Sequence, residues 1–281
     1  MKLIEAMTKY EKYVKVTKSE GTYNYLQGKK GIILRYLGSE DCEDIDRDTI
    51  LDFIIAQQDR NYNISNRTIN KYIQTIQQVL RYSCDIDLTY EKLPVTKKII
   101  QIVPEPVILR IFNYYKSNQH NLILQRNYIM FRLFYETGLR LTELLNLKVK
   151  DFDFMNLTIH VKKTKTNTER YVFFSKETSL LLNRYILSSQ LDNYIFIDFA
   201  TGEILKHYTI ESICQRLSRK LKIDQSISPH KWRHTFATRF ITKNGNMEVL
   251  RQIMGHSSLK TTQKYLHINK ETLHKEYFKT Y

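Results

Sequence analysis

The chain runs to 281 residues, 42% hydrophobic and 26% charged with no low-complexity tract, enough for two folded domains and not the make-up of a disordered or fibrous protein. Its 44 Lys and Arg against 29 Asp and Glu leave a net charge of +15, which points to a polyanionic partner, nucleic acid before others. No apolar run has signal-peptide or membrane-span form, and Cys42, Cys84 and Cys214 are too scattered for a disulfide framework or zinc cluster, so a cytoplasmic protein with buried thiols and no membrane partner is expected.

The opening stretch "MKLIEAMTKYEKYVKV" predicts an amphipathic helix with Leu3, Ile4, Met7, Tyr10 and Val14 on one face. "TYNYLQGKKGIILRYLG", "DTILDFIIAQQ" and "SNRTINKYIQTIQQVLRYS" continue with apolar residues three and four apart, the last opening at a Ser65 or Asn66 cap. Four such helices make a small helical domain over residues 1–92. Pro94, Pro104 and Pro106 then crowd one segment, where proline discourages helix and favours an extended connector, so a linker is expected over 93–105. Beyond it "EPVILRIFNYYKS" and "LILQRNYIMFRLFYETG" read as helices, the second closed by Gly138. "LTELLNLKVKDF" runs from a short helix into a strand, and the β-branched and aromatic "LTIHVKK" and "ERYVFFS" read as strands around the turn "TKTNT". From about residue 176 the pattern reads as helical again. The fold expected is therefore mainly α, with a small antiparallel sheet in a second domain over 106–281. Charge divides the same way: residues 1–103 carry 16 Lys and Arg against 14 Asp and Glu, a net of +2, and residues 104–281 carry 28 against 15, a net of +13.

The stretch "SPHKWRHTFATRF" (228–240) concentrates the chemistry. His230 and His234, four apart, could share a metal on one helix face, but a zinc hydrolase wants an acid beside the first histidine and a third ligand. Lys231 and Arg233 stand there instead, and a dication beside two cations is electrostatically poor. No glycine-rich phosphate loop occurs among the eight glycines, which disfavours a nucleotide-driven enzyme. Phosphate handling fits better. An arginine fork stays charged and binds two phosphate oxygens, and paired arginines stabilise the charge a phosphodiester gains under attack.

"ETGLRLTELLNL" (136–147), "SPHKWRHTFAT" (228–238) and "MGHSSLKTTQKYLHI" (254–268) closely resemble, in order, the three signature boxes of the tyrosine recombinase (phage integrase) family. Arg140 matches the family's first arginine, His230 and Arg233 its H-x-x-R pair, His256 the following histidine and Tyr265 the nucleophile, nine residues on. The resemblance implies a two-domain, C-shaped DNA clamp. A SAM-like helical core-binding domain and a catalytic domain grip opposite sides of the duplex, in the short Xer-type or simple integrase layout with no length left for an arm-binding domain. It also implies cleavage through a 3′-phosphotyrosine with no metal, ATP or other cofactor, by four protomers on two DNA sites.

In that scheme Arg140, Arg233 and His256 hold the non-bridging oxygens and His230 assists proton transfer. A lysine of the hairpin turn protonates the leaving oxygen: Lys165 aligns best, with Lys162 or Lys163 as alternatives because threonines flank Lys165 where the family has glycines. An unassisted phenol has a pKa of about 10, so Tyr265 needs the cationic cluster. Glu143 is expected to brace Arg140, Trp232 to pack in the core, and His234 to be a structural helix residue. Lys29, Lys30, Arg67 and Lys71 are the DNA contacts suggested for the first domain. The tail 269–281 predicts an amphipathic helix that packs on its own domain or on a neighbouring protomer. A type IB topoisomerase, or a DNA-binding protein without catalysis, remains as an alternative.

Overall fold

The computed structural model describes residues 1–61, 63–96, 100–118, 121–162, 169–263, 265 and 278. The chain divides into two compact units, Met1–Lys98 and Ile99–Tyr281.

In the first unit the helices are α1 (Leu3–Thr17), α2 (Glu20–Leu37), α3 (Arg47–Arg60) and α4 (Asn66–Cys84). Three starts follow one rule. The side chains of Ser19, Asp46 and Ser65 accept the backbone N–H three residues on, at Thr22, Thr49 and Thr68, satisfying donors that a helix start leaves open. The cap of α4 is thus Ser65 and not Asn66. Along α4, Ile69, Ile73, Ile76 and Leu80 form a buried stripe at helical spacing. In α1 the buried residues are Leu3, Ala6, Met7 and Val14, while Ile4, expected on the same face, is 48% exposed. Ala6 lies where α4 approaches, and the Ser83 hydroxyl donates to the Ala6 carbonyl at 2.7 Å. Asn70 exchanges two hydrogen bonds with the backbone of Leu93, fastening the returning chain along α4.

The second unit holds α5 (Glu105–Lys116), α6 (Leu122–Thr137), α7 (Leu141–Leu145), the strands β1 (Phe152–Asp153), β2 (Thr158–Val161) and β3 (Arg170–Phe173), then α8 (Lys176–Ser189), α9 (His207–Lys220), α10 (Pro229–Thr242), α11 (Met247–Met254) and α12 (Leu259–Gln263). Helix α6 is its axis, buried on every side from Arg126 to Phe134. The fully buried indole of Trp232, on α10, stacks on Phe112 of α5 with centroids 6.2 Å apart and touches Phe131 of α6 at 5.3 Å. Such pairs add roughly 1 kcal/mol each beyond burial. The core-packing role expected of Trp232 is what the structure shows.

The sheet is antiparallel in the order β1-β2-β3, with Ile159 opposite Phe152 and Val172, and Val161 opposite Arg170. A 3-10 turn over Val149–Asp151 occupies most of what reads as strand in "LKVKDF", so β1 is only two residues long. The stretch 191–206, expected as helix, is not helical. Bridges join Ile197 to Ile204 and Lys148 to Tyr194, and Gly202 takes φ +71° between the first two. Its aromatic and β-branched "YIFIDF" followed by "TGE" is strand-turn chemistry that a helical frame overlooks. Residues 163–168, with Lys163 and Lys165, and nearly all of the tail helix expected over 269–281 lie outside the described residues.

Candidate active site

Two turns set the floor of the site. Helix α6 ends at Gly138 with φ +61°, where a Cβ would stand 2.3 Å from the Phe236 ring, so only glycine allows the chain to turn into Arg140. Helix α11 ends likewise at Gly255, φ +59°, where a Cβ would meet the Arg170 guanidinium at 3.0 Å, and the chain enters His256. Two close turns from distant parts of the sequence thereby face each other.

Between them lies a buried ion network. The Glu143 side chain is completely buried; its carboxylate accepts from the Arg140 backbone N–H at 2.8 Å and from Arg140 Nη1 at 2.9 Å. Arg170, at the start of β3, donates to both carboxylate oxygens, at 3.0 and 2.7 Å, and its Nε donates to the Ile253 carbonyl at 2.6 Å. Burial alone would raise the Glu143 pKa, but the Arg170 fork and the Arg140 donors hold the carboxyl below the usual carboxylate range. Arg140 is thereby braced as expected, and its Nη2 donates to the Gly255 carbonyl at 2.9 Å. Arg170, which in the sequence reads only as part of a strand, ties three segments together.

Arg233 points inward from α10. Its Nη1 donates to the Gly138 carbonyl and its Nη2 to the Met254 carbonyl, both at 2.6 Å. Burial, followed by the nearby Arg140 charge, pushes its pKa down to about 10, which still leaves it a cation at neutral pH. Nη2 also lies 3.1 Å from His256 Nε2. Since a guanidinium can only donate, Nε2 is the acceptor, and in neutral His256 Nδ1–H then donates to the Thr262 hydroxyl at 2.9 Å.

Tyr265 completes the group. It is only 1% exposed, with its ring parallel to that of His256 at a centroid distance of 6.4 Å. Burial pushes its pKa up to about 12, outweighing the downward pull of Arg233 and Arg140. Its hydroxyl lies 2.9 Å from Nδ1 of His234. His234, expected to be a structural helix residue, is thus in direct contact with the phenol. The available signal was its position one residue past Arg233 and one turn beyond His230 on the same helix.

The structure thus brings Arg140, Arg233, His256 and Tyr265 together. His230 instead stands exposed in the first turn of α10, making no hydrogen bond among the described residues. Of the hairpin lysines only Lys162 is described, and its ammonium is paired with Asp151 at 2.5 Å. In the first unit, Lys29 stacks its ammonium 3.2 Å over the Tyr25 ring, and Lys71 lies 6.0 Å from the same ring. Burial and then Lys71 lower the Lys29 pKa, so an anion placed there would be stabilised. Lys30 is paired with Glu11 at 2.5 Å, and Arg67 is exposed. Among the described residues no three His, Cys, Asp or Glu side chains group as metal ligands, and no helix is long and apolar enough to cross a membrane.

Residues 102–272 match the phage integrase family. The chain belongs to that family. Its sequence is 35% identical over 212 residues to tyrosine recombinase XerA of Saccharolobus solfataricus, covering 75% of this chain and 67% of that protein. It is 28% identical over 281 residues to a probable integrase/recombinase of Acholeplasma phage L2, covering 99% of this chain and 88% of the other. In fold it is similar to the Tn1549 transposon integrase in complex with transposon right-end DNA, with a TM-score of 0.81 at 19% identity over 98% of each chain. A lambda integrase dimer bound to a core site gives 0.74 at 16% identity, over 94% of this chain and 77% of that one. This family member is a tyrosine recombinase, a DNA strand-transfer enzyme of site-specific recombination.

Proposed function

We propose that Tyr265 attacks a DNA phosphodiester, forming a 3′-phosphotyrosine and releasing a 5′ hydroxyl, and that a 5′ hydroxyl from a partner strand then reverses the step. The observation that carries this reading is the convergence of Arg140, Arg233 and His256 on the buried phenol of Tyr265. Fixed cations in a site shielded from water stabilise the charge on the non-bridging oxygens without reorganising during the reaction. An arriving phosphate gives both guanidinium groups an anion, offsetting the burial and, after it, the Arg140 repulsion that lower the Arg233 pKa. His230 assists proton transfer from the exposed end of α10, and Lys165 protonates the leaving oxygen, with Lys163 or Lys162 as alternatives. Because the phosphotyrosine conserves the energy of the broken ester, neither ATP nor a metal is called for.

The partner is duplex DNA carrying specific recombination sites, with four protomers on two sites. The regions 1–92 and 106–281 grip opposite faces of the duplex, and Lys29, Lys30, Arg67 and Lys71 supply contacts from the first. The setting is the nucleoid. The DNA-bound Tn1549 and lambda integrases support the choice of partner, and the reaction serves integration or excision of a mobile element or a Xer-like resolution or inversion.

A nicked suicide duplex, carrying a site selected from a randomised pool by binding, tests the mechanism. Wild-type protein is expected to form a covalent adduct in excess EDTA, and Tyr265→Phe none. An equal adduct from Tyr265→Phe sinks the proposal, and loss of the wild-type adduct in EDTA sinks its metal-free form.

A further inference from the structure

A buried phenol must lose its proton as its oxygen bonds to phosphorus, and the groups around Tyr265 differ in their ability to take it. Arg140 and Arg233 are cations that only donate. His256 faces Tyr265 with its ring parallel, its Nε2 lying against Arg233 and its Nδ1 against Thr262. Nδ1 of His234, by contrast, lies 2.9 Å from the phenolic oxygen, with the rings tilted 55° and centroids 5.6 Å apart. That is the distance a general base requires of the proton it removes.

We propose that His234 is a catalytic base of the recombination reaction, taking the proton of the Tyr265 hydroxyl as it attacks the phosphodiester and returning it when the phosphotyrosine is resolved. The inference rests on the phosphotyrosine reading and deepens it. In the forward step the Tyr265 oxygen–phosphorus bond forms, the bond from phosphorus to the 5′ oxygen breaks, and the phenolic proton passes to His234 Nδ1. The leaving oxygen takes its proton from the hairpin lysine. In the reverse step the 5′ hydroxyl attacks and its proton returns to the hairpin lysine, while the bond from phosphorus to the Tyr265 oxygen breaks and the His234 imidazolium protonates the leaving phenolate. For Nδ1 to accept, the neutral ring carries its hydrogen on Nε2. The imidazolium forms beside two arginines, an unfavourable place until a phosphate brings its negative charge. Proton removal is thereby coupled to the presence of DNA, which keeps the nucleophile a neutral phenol otherwise. His230 lies one helical turn away at the exposed end of α10, so the two histidines divide the proton traffic between the buried phenol and the solvent side.

The test measures adduct formation on the suicide duplex for His234→Ala and His234→Gln, each with Tyr265 either natural or replaced by a fluorinated tyrosine whose phenol ionises near neutral pH. With natural tyrosine both variants should bind the duplex like wild type yet form the adduct about 100-fold more slowly, the lower end of what a positioned base contributes. The fluorinated tyrosine, whose phenol gives up its proton far more readily at the same burial, should restore most of that loss. A packing role would show the same slowing in both backgrounds, so failure of the rescue overturns the proposal. Adduct formation at the wild-type rate in both variants overturns it too, as does loss of duplex binding in both. If wild-type protein itself forms no adduct, the phosphotyrosine reading falls and this inference with it.

Discussion

Replacing Arg170 with methionine removes the fork that holds Glu143 while keeping most of the side-chain volume. Glu143 is completely buried and would lose two charge-assisted hydrogen bonds, at 3.0 and 2.7 Å; the Ile253 carbonyl would lose its 2.6 Å donor. Breaking a buried pair by removing one partner costs about 3–5 kcal/mol, and because Arg140 remains on the carboxylate the lower end applies, about 3 kcal/mol. For a unit of this size that lowers Tm by roughly 6–12 °C. Trp232 is the only tryptophan in the chain and is fully buried in the second unit, so its fluorescence follows the melting of that unit. Glu143→Gln should remove much of the penalty, with the Arg170→Met/Glu143→Gln double variant more stable than the sum of the single losses by about 1 kcal/mol or more. Adduct formation should fall as well, because Arg140 loses its brace. A drop in Tm of under about 2 °C, or additive single losses, would refute the view that this ion network holds the site together.

Gly138→Ala places a Cβ 2.3 Å from the Phe236 ring in a left-handed residue, so the Trp232-monitored transition should fall by about 2 kcal/mol or more; an unchanged transition contradicts the close approach. The folded-state pKa of Glu143 is depressed, so its contribution is present above the unfolded value of about 4.3 and is lost as pH falls through the lower folded value. The Tm gap between wild type and Glu143→Gln should therefore narrow below about pH 4, and a gap independent of pH refutes the assignment. Lys29→Gln and Lys71→Gln should weaken duplex binding alike on specific and unrelated sequences, each lowering the salt-dependence slope by about one; a sequence-selective effect would mean base contacts instead.

Short-range rules carried much of this protein. Ser65 caps α4, Gly138 closes α6, Trp232 belongs to the core, and the strands on either side of residues 163–168 pair as their β-branched residues suggest. Each of these depends on neighbours within about one turn or one hairpin, where backbone geometry and side-chain type suffice. The three boxes were legible for a related reason, since each is a short local run, from Arg140 and Glu143 three apart to His256 and Tyr265 nine apart. Beyond that reach the linear pattern misled. Ile4 faces outward while Ala6 lies buried and its carbonyl takes a hydrogen bond from α4, and residues 191–206 hold bridges inside what reads as a helical half. His234 looked like one more helix residue, yet Tyr265, 31 positions later, brings its hydroxyl to it. Arg170 looked like a strand residue, and its partner Glu143 lies 27 positions earlier. Helical periodicity tells which side chains share a face, but what that face meets follows from how whole elements dock. Here the docking of α10 against the turns at Gly138 and Gly255 turned a list of motif residues into one buried site around Tyr265.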